Sequence, residues 1–276
     1  MTTRENGSDL TGRVALVTGA SRLQGIGAAI CRALAARGAD VAFNHWRPAD
    51  EAFPWSGAPS EPDDLAQELV ALGVRAAAIE CDLSNPGAEV RLLDETESRL
   101  GPVSILVNNA AHSTNDGFER LDVVTIDAHY AVNMRAAMLL AAEFARRFAA
   151  VEGGRIINLT SGQGLGPMPD ELAYIATKGA IEAFTRSLAP AVAIKGITVN
   201  AVDPGPTDSG WITPQLRDVL LPRVPMGRLG TPADAARLVA WLVSPDAGWV
   251  TGQVIHSRGG FNGGKRSVGL SHLPMV

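Results

Sequence analysis

Cysteine is scarce in this sequence. Cys31 and Cys81 are the only two, too few for a disulfide framework and too far apart for a metal-binding pair. Both lie in apolar stretches, "AAICRALAA" and "AAAIECDL", and read as reduced thiols in or near the core, which points to a cytoplasmic protein. A dense basic run is also missing. Lys plus Arg total 24 against 29 for Asp plus Glu, a formal net charge of -5, so no nucleic-acid partner is expected. The opening "MTTRENGSDL" lacks the apolar stretch of a signal peptide, and no uncharged apolar run reaches the roughly eighteen residues of a membrane span. His45, His112, His129, His256 and His272 show neither HExxH nor paired-ligand spacing, so no metal site is expected. Of these, His112 is the one placed to approach a ligand.

What the sequence does contain is material for a large core: 276 residues, 46% hydrophobic and 19% charged. Continuously apolar or alternating segments recur at 13–19, 40–44, 75–82, 104–110, 154–161, 197–203 and 253–260. Most are followed by a helical pattern, at 25–38, 63–73, about 86–100, about 125–149, about 172–193 and 232–242. This alternation predicts an α/β fold, a parallel sheet covered by helices on both faces. Pro190 is expected to kink the fifth helix or end it early. The proline-rich stretch 45–62 reads as a long loop, and 162–171 and 204–230 as loops or short helices near the carboxyl ends of strands, where such sheets bind ligands. Without a repeat or a dividing linker, the expected organisation is a flexible N-terminus (1–10), one catalytic domain (11–261) and a C-terminal tail (262–276).

"RVALVTGASRLQGIGAAICRAL" runs strand, glycine-bearing turn, helix, the context of a dinucleotide-binding loop. Gly19 lets the chain leave the strand. Gly25 and Gly27 let backbone approach a pyrophosphate at the helix start, where free N–H groups and the helix dipole favour its charge.

The segment is similar to the TGxxxGxG signature of the short-chain dehydrogenase/reductase family, with five residues between Gly19 and Gly25 where the family has three. Further motifs follow in family order over roughly residues 11–261: "CDLS" with Asp82, "NNAA" at 108–111 with Ala111 in place of glycine, "AVNMRA" with Asn133, "NLTS" with Ser161, "YIATK" with Tyr174 and Lys178, and "DPGPT" with Pro204, Gly205 and Thr207. The resemblance implies a Rossmann-type doubly wound single domain with a predominantly parallel seven-stranded sheet, and a catalytic set of Asn133, Ser161, Tyr174 and Lys178. In the expected cofactor-binding set are Gly19, Ser21, Arg22, Gly25, Ile26, Gly27, Asn44, His45, Asp82, Leu83, Asn109, Ala110, Ala111, Tyr174, Lys178, Pro204, Gly205 and Thr207.

Tyr174 and Lys178 are one helical turn apart and share a face. A phenol can give or take the proton at a carbonyl oxygen, but its ordinary pKa near ~10 suits neutral pH poorly, and a nearby ammonium is expected to lower it. The resemblance further implies that Lys178 contacts the nicotinamide ribose, Ser161 holds the substrate oxygen, Asn133 secures a water linked to Lys178, and Thr207 meets the carboxamide. At the end of the second strand Asn44 and His45 stand where a carboxylate would favour NAD, and Arg22, His45 or Arg47 could meet a 2'-phosphate, so NADP(H) is favoured over NAD(H). Gln163, Leu165, Met168, Pro169, Trp211, Ile212, Leu216 and Leu220 suggest a mixed, largely apolar substrate cavity under a lid. The expected activity is reversible reduction of a ketone or 3-oxoacyl thioester to an alcohol, by a homo-oligomer with a tetramer favoured. An NAD-dependent alcohol dehydrogenase, a dehydratase or epimerase on a related fold, and a non-catalytic dinucleotide-binding module stay open as alternatives.

Overall fold

Seven short strands alternate with helices, and each strand runs parallel to its neighbours. The computed structural model describes residues 9–51, 53–150 and 153–261; the tail at 262–276 and most of the N-terminal stretch lie outside them. The strands are β1 (Val14–Val17), β2 (Asp40–His45), β3 (Ala76–Glu80), β4 (Ile105–Asn108), β5 (Gly154–Leu159), β6 (Ile197–Asp203) and β7 (Val254–His256). Their order in the sheet is β3-β2-β1-β4-β5-β6-β7, so the direction of winding reverses between β1 and β4, at the strand that carries the glycine loop. Register is continuous across that point: Val17 pairs with Phe43 on one side and Val107 on the other.

The helices are α1 (Ile26–Ala35), α2 (Arg47–Asp50), α3 (Glu61–Ala71), α4 (Ala88–Leu100), α5 (Gly117–Arg120), α6 (Val123–His129), α7 (Ala137–Arg147), α8 (Leu172–Val192), α9 (Pro214–Leu220) and α10 (Pro232–Leu242). Strand side chains alternate between two cores. Ala15, Val17, Val41, Phe43 and Val107 pack with Ile30 and Leu34 of α1 and Val239 of α10. Leu16, Ala42, Leu106 and Ile156 pack with Leu92 and Leu93 of α4 and Phe144 of α7. Strands buried on both faces are mostly apolar along their length, which is why these segments read as near-continuous runs.

Four expectations change. The 45–62 loop contains the one-turn helix α2 and ends where α3 begins at Glu61; Arg47 holds the loop closed by donating to the carbonyls of Ser56 (2.7 Å) and Gly57 (3.1 Å). The fourth predicted helix is interrupted by a π-helical turn, Tyr130–Ala136, between α6 and α7. Pro190 does not end α8 early: it falls in the last turn, and the helix runs to Val192. Leu10, placed in the flexible N-terminus, is fully buried, and its N–H donates to the carbonyl of Arg37 (3.0 Å).

Candidate active site

The glycine loop joins β1 to α1 at the carboxyl edge of the sheet. Gly19 has φ +71, and a Cβ there would lie 2.6 Å from Cα of Ala110; one on Gly27 would lie 2.5 Å from the carbonyl oxygen of Gly19. Only hydrogen fits at either position. The strand ends are stitched together from the next motif along. Asn109 donates to the carbonyls of Thr18 (2.8 Å) and Gly19 (2.9 Å), and the Thr18 hydroxyl accepts from the N–H groups of Asn109 and Ala110 (3.0 Å each). α1 starts at Ile26 with no acidic side chain in its first turn, leaving its N–H groups to face an anion. This cradle of bare backbone, closed to any side chain, fits a dinucleotide pyrophosphate.

Two residues of the lengthened loop, Arg22 and Leu23, tie it to its surroundings. Arg22 donates to the carbonyl of Ser209 (2.9 Å) in the segment after β6 and to that of Trp55 (3.3 Å), and the Leu23 N–H donates to Glu61 (2.7 Å). At the end of β2, Asn44 is buried: its Oδ1 accepts from the Gly19 N–H (3.3 Å) and its Nδ2 donates to the Cys81 carbonyl (2.7 Å), so its side chain braces the loop. His45 has a buried Nδ1 without a partner, as does Nε of Arg47. Burial lowers the His45 pKa against the opposing pull of Glu80 and Asp63. A carboxylate does reach this corner, but from α2: Asp50 lies 3.8 Å from Arg22 Nε, and burial raises its pKa despite Ser21, Arg22 and Arg47. Sequence reading missed it because only the fold of α2 turns residue 50 back onto the loop. Asp82 accepts from Ser84 N–H (2.8 Å) and Asn85 (3.1 Å) and, with Trp46 and Cys81, lines a cavity of about 400 Å³; Leu83 lies in the core.

At the same carboxyl edge, beyond the end of β5, α8 carries Tyr174 and Lys178. Its first turn is held by Asp116, whose carboxylate accepts from the N–H groups of Leu172 (2.7 Å), Ala173 (2.8 Å) and Gly117 (2.6 Å). Burial opposes ionisation of Asp116, but these three donors outweigh it and lower its pKa. Lys178 is 3% exposed; its Nζ lies 5.5 Å from the Tyr174 ring centroid and donates to the Leu159 carbonyl (2.9 Å), the end of β5 two residues before Ser161. Burial lowers its pKa to about 8. The Tyr174 phenol moves up, not down: burial dominates, Glu171 adds repulsion, and the nearby Ser161 hydroxyl only partly offsets them. The expected lowering by Lys178 is thus corrected. Burial disfavours the phenolate and the ammonium alike, and the phenol keeps its proton.

Asn133 explains the π-helical turn. Its Oδ1 accepts from the His112 N–H (2.7 Å) and its Nδ2 donates to the His112 carbonyl (2.8 Å) and the Thr177 hydroxyl (3.2 Å). A side chain reading a strand-end backbone in both directions needs the helix to bulge toward it. The His112 ring packs edge-on to His129 with centroids 4.7 Å apart. In the segment after β6, Pro204 and Gly205 are partly exposed, Thr207 is buried with its hydroxyl donating to Pro204 (3.0 Å), and Trp211 Nε1 donates to the Thr207 carbonyl (2.8 Å). Gln163 turns away toward α8, donating to Glu182 (2.6 Å). Among the described residues no cluster of potential ligands could hold a metal ion, and no helix is long and apolar enough to cross a membrane.

Residues 19–262 match the family model described as Enoyl-(Acyl carrier protein) reductase. The chain is 53% identical over 251 residues to the uncharacterized oxidoreductase YjdA of Bacillus subtilis, covering 90% of this chain and 96% of that protein. It is 36% identical over 261 residues to the chloroplastic NADPH-dependent aldehyde reductase-like protein of Arabidopsis thaliana, covering 91% and 95%. A short chain dehydrogenase of Burkholderia cenocepacia, solved in complex with NADP, superimposes with a TM-score of 0.82 at 35% identity over 92% of this chain and 99% of that one.

Proposed function

The chain belongs to the short-chain dehydrogenase/reductase family of NAD(P)-dependent oxidoreductases acting on carbonyl and alcohol groups, and from that premise we propose that it is an NADPH-dependent carbonyl reductase. The observation that carries the reading is the convergence of Ser161, Tyr174 and Lys178 beside the glycine loop's sheet edge.

When bound, the nicotinamide cofactor supplies the hydride that turns the carbonyl carbon into an alcohol carbon. The glycine loop and the first turn of α1 would hold the pyrophosphate, with Asp82 available to the adenine and Thr207 to the carboxamide. Ser161 orients the carbonyl oxygen by donating its hydroxyl proton. Tyr174 gives its Oη proton to the oxygen as negative charge develops there; its raised pKa means the phenol is in the acid form that reduction requires. Lys178 stabilises the phenolate left behind, and Asn133 fixes the backbone of His112 and the turn of α8 that carries Lys178.

Arg22, Arg47 and the unpartnered Nδ1 of His45 favour a 2'-phosphate, opposed by the carboxylates of Asp50 and Glu61. NADPH is also named in the description of the Arabidopsis relative. The substrate is a ketone or a 3-oxoacyl thioester, and the working form is a homo-oligomer, a tetramer by family likeness. Purified protein screened with NADPH and NADH against ketones, aldehydes and 3-oxoacyl thioesters, followed by loss of reduced-nicotinamide absorbance, tests this. NADPH turnover on at least one class is expected. Uniform preference for NADH would mean that these carboxylates outweigh the two arginines.

A further inference from the structure

Arg258, in the short segment after β7, is 8% exposed. It stands where three parts of the site meet. A Cβ built on Gly162, the residue after Ser161, would lie 2.5 Å from Arg258 Nη2, and one on Gly205 would lie 2.9 Å from the Arg258 stem. On the third side, the next two residues pack on the end of the lid: Gly259 against Val224, Gly260 against Pro225, with the Met226 N–H donating to the Gly259 carbonyl (3.3 Å).

The guanidinium has a counter-ion but lacks acceptors. Asp203, 1% exposed, lies 3.3 Å from Arg258 Nε. Its oxygens are engaged elsewhere, Oδ1 by the Gly205 N–H (2.9 Å) and Oδ2 by His256 Nδ1 (2.9 Å). Nε and Nη1 of Arg258 are both buried without a hydrogen-bond partner, and the Phe261 ring lies 4.9 Å from Cζ. The ion pair fixes the charge and position of the side chain without using its donors. Unfilled donors on a buried cation are costly, and arginine's planar fork matches a carboxylate.

We infer that Arg258 recognises a carboxylate on the substrate, so that the site takes oxo acids in preference to neutral ketones; this rests on the carbonyl-reductase reading above. The guanidinium occupies the space a side chain on Gly162 would need, and Gly162 directly follows Ser161, which sets the anion subsite next to the group that holds the carbonyl oxygen. The carboxylate therefore sits only a few bonds from the carbonyl, and the apolar lid residues cover the remainder of the molecule.

The test gives the wild-type protein, with NADPH, a short oxo acid and its methyl ester, and compares Arg258→Met and Arg258→Lys. Wild type should favour the acid in kcat/KM by about tenfold or more, the loss expected for one charged hydrogen-bonding pair. The ratio should fall toward one in Arg258→Met, mainly through KM, and be partly kept in Arg258→Lys. Should Arg258→Met fold poorly, the wild-type protein supplies the answer by itself: a saturated monocarboxylate should compete with the substrate where its primary amide does not. Equal use of acid and ester by wild type, equal inhibition by carboxylate and amide, or an equal loss on both substrates in Arg258→Met overturns the assignment. Failure of the underlying reading looks different, with no carbonyl compound of any kind oxidising NADPH, and overturns both.

Discussion

Lys178 is an ammonium in a place that disfavours ammonium, and that tension sets the pH behaviour of the site. Its pKa falls from 10.5 to about 8 because burial removes water that no carboxylate replaces. Below about pH 8 it is charged, as its proposed roles toward the cofactor ribose and the phenolate require; above that it is neutral. Cofactor affinity, read by quenching or enhancement of reduced-nicotinamide fluorescence, should therefore weaken as pH rises through about 8. In Lys178→Arg, whose guanidinium stays protonated, that limb should vanish. The residue types of this site were legible in the motif spacing of Ser161, Tyr174 and Lys178. Their electrostatics were not, because the direction of the tyrosine shift depends on burial and on Glu171, neither visible in a five-residue motif. Asp50 and Arg258 were missed for a related reason: each meets its partners only after distant segments fold together.

At the scale of elements, the start of α8 deserves a separate test, because everything the helix presents to the site depends on where it begins. The side chain of Glu171, at its N-cap, makes no capping bond; Asp116, distant in sequence, supplies the carboxylate instead. Asp116→Ala should cost roughly 2 kcal/mol in chemical denaturation, the scale of charge-assisted bonds lost with buried donors left behind. The pKa of Asp116 is depressed in the fold, so its stabilisation is present above the unfolded carboxylate value of ~3.9 and is lost as pH falls through the lower folded value. Wild type and Asp116→Ala should accordingly converge in stability toward acid pH. Strands and long helices were readable from apolar runs and helical periodicity, since both are local. The π-helical turn was not, because it follows from Asn133 bonding to the His112 backbone 21 residues away. Nor was α2, which is closed by Arg47 reaching forward to Ser56 and Gly57.

At the scale of the whole molecule, the described residues leave apolar surface that they do not cover themselves. On the α5–α8 side, Phe118, Val123, Val124 and Ile126 are exposed beside a groove lined by Leu121, Tyr130, Met134 and Ala176. Near β7, Trp249 is 99% exposed. The apolar face on the α5–α8 side and the exposed Trp249 are surface that the proposed tetramer would bury. Light scattering after size exclusion should give a tetramer for wild type, a smaller species for Val124→Asp, and a different smaller species for Trp249→Asp. A monomeric wild type would remove the oligomer from the account.

The central claim concerns the proton: Tyr174 delivers it to the carbonyl oxygen, from a phenol that burial keeps protonated. Single-turnover reduction of the best substrate by NADPH-loaded Tyr174→Phe, with folding checked by circular dichroism, tests this most directly. The rate should fall by roughly 10²–10⁴, the usual contribution of a positioned general acid. A rate equal to wild type would contradict the account.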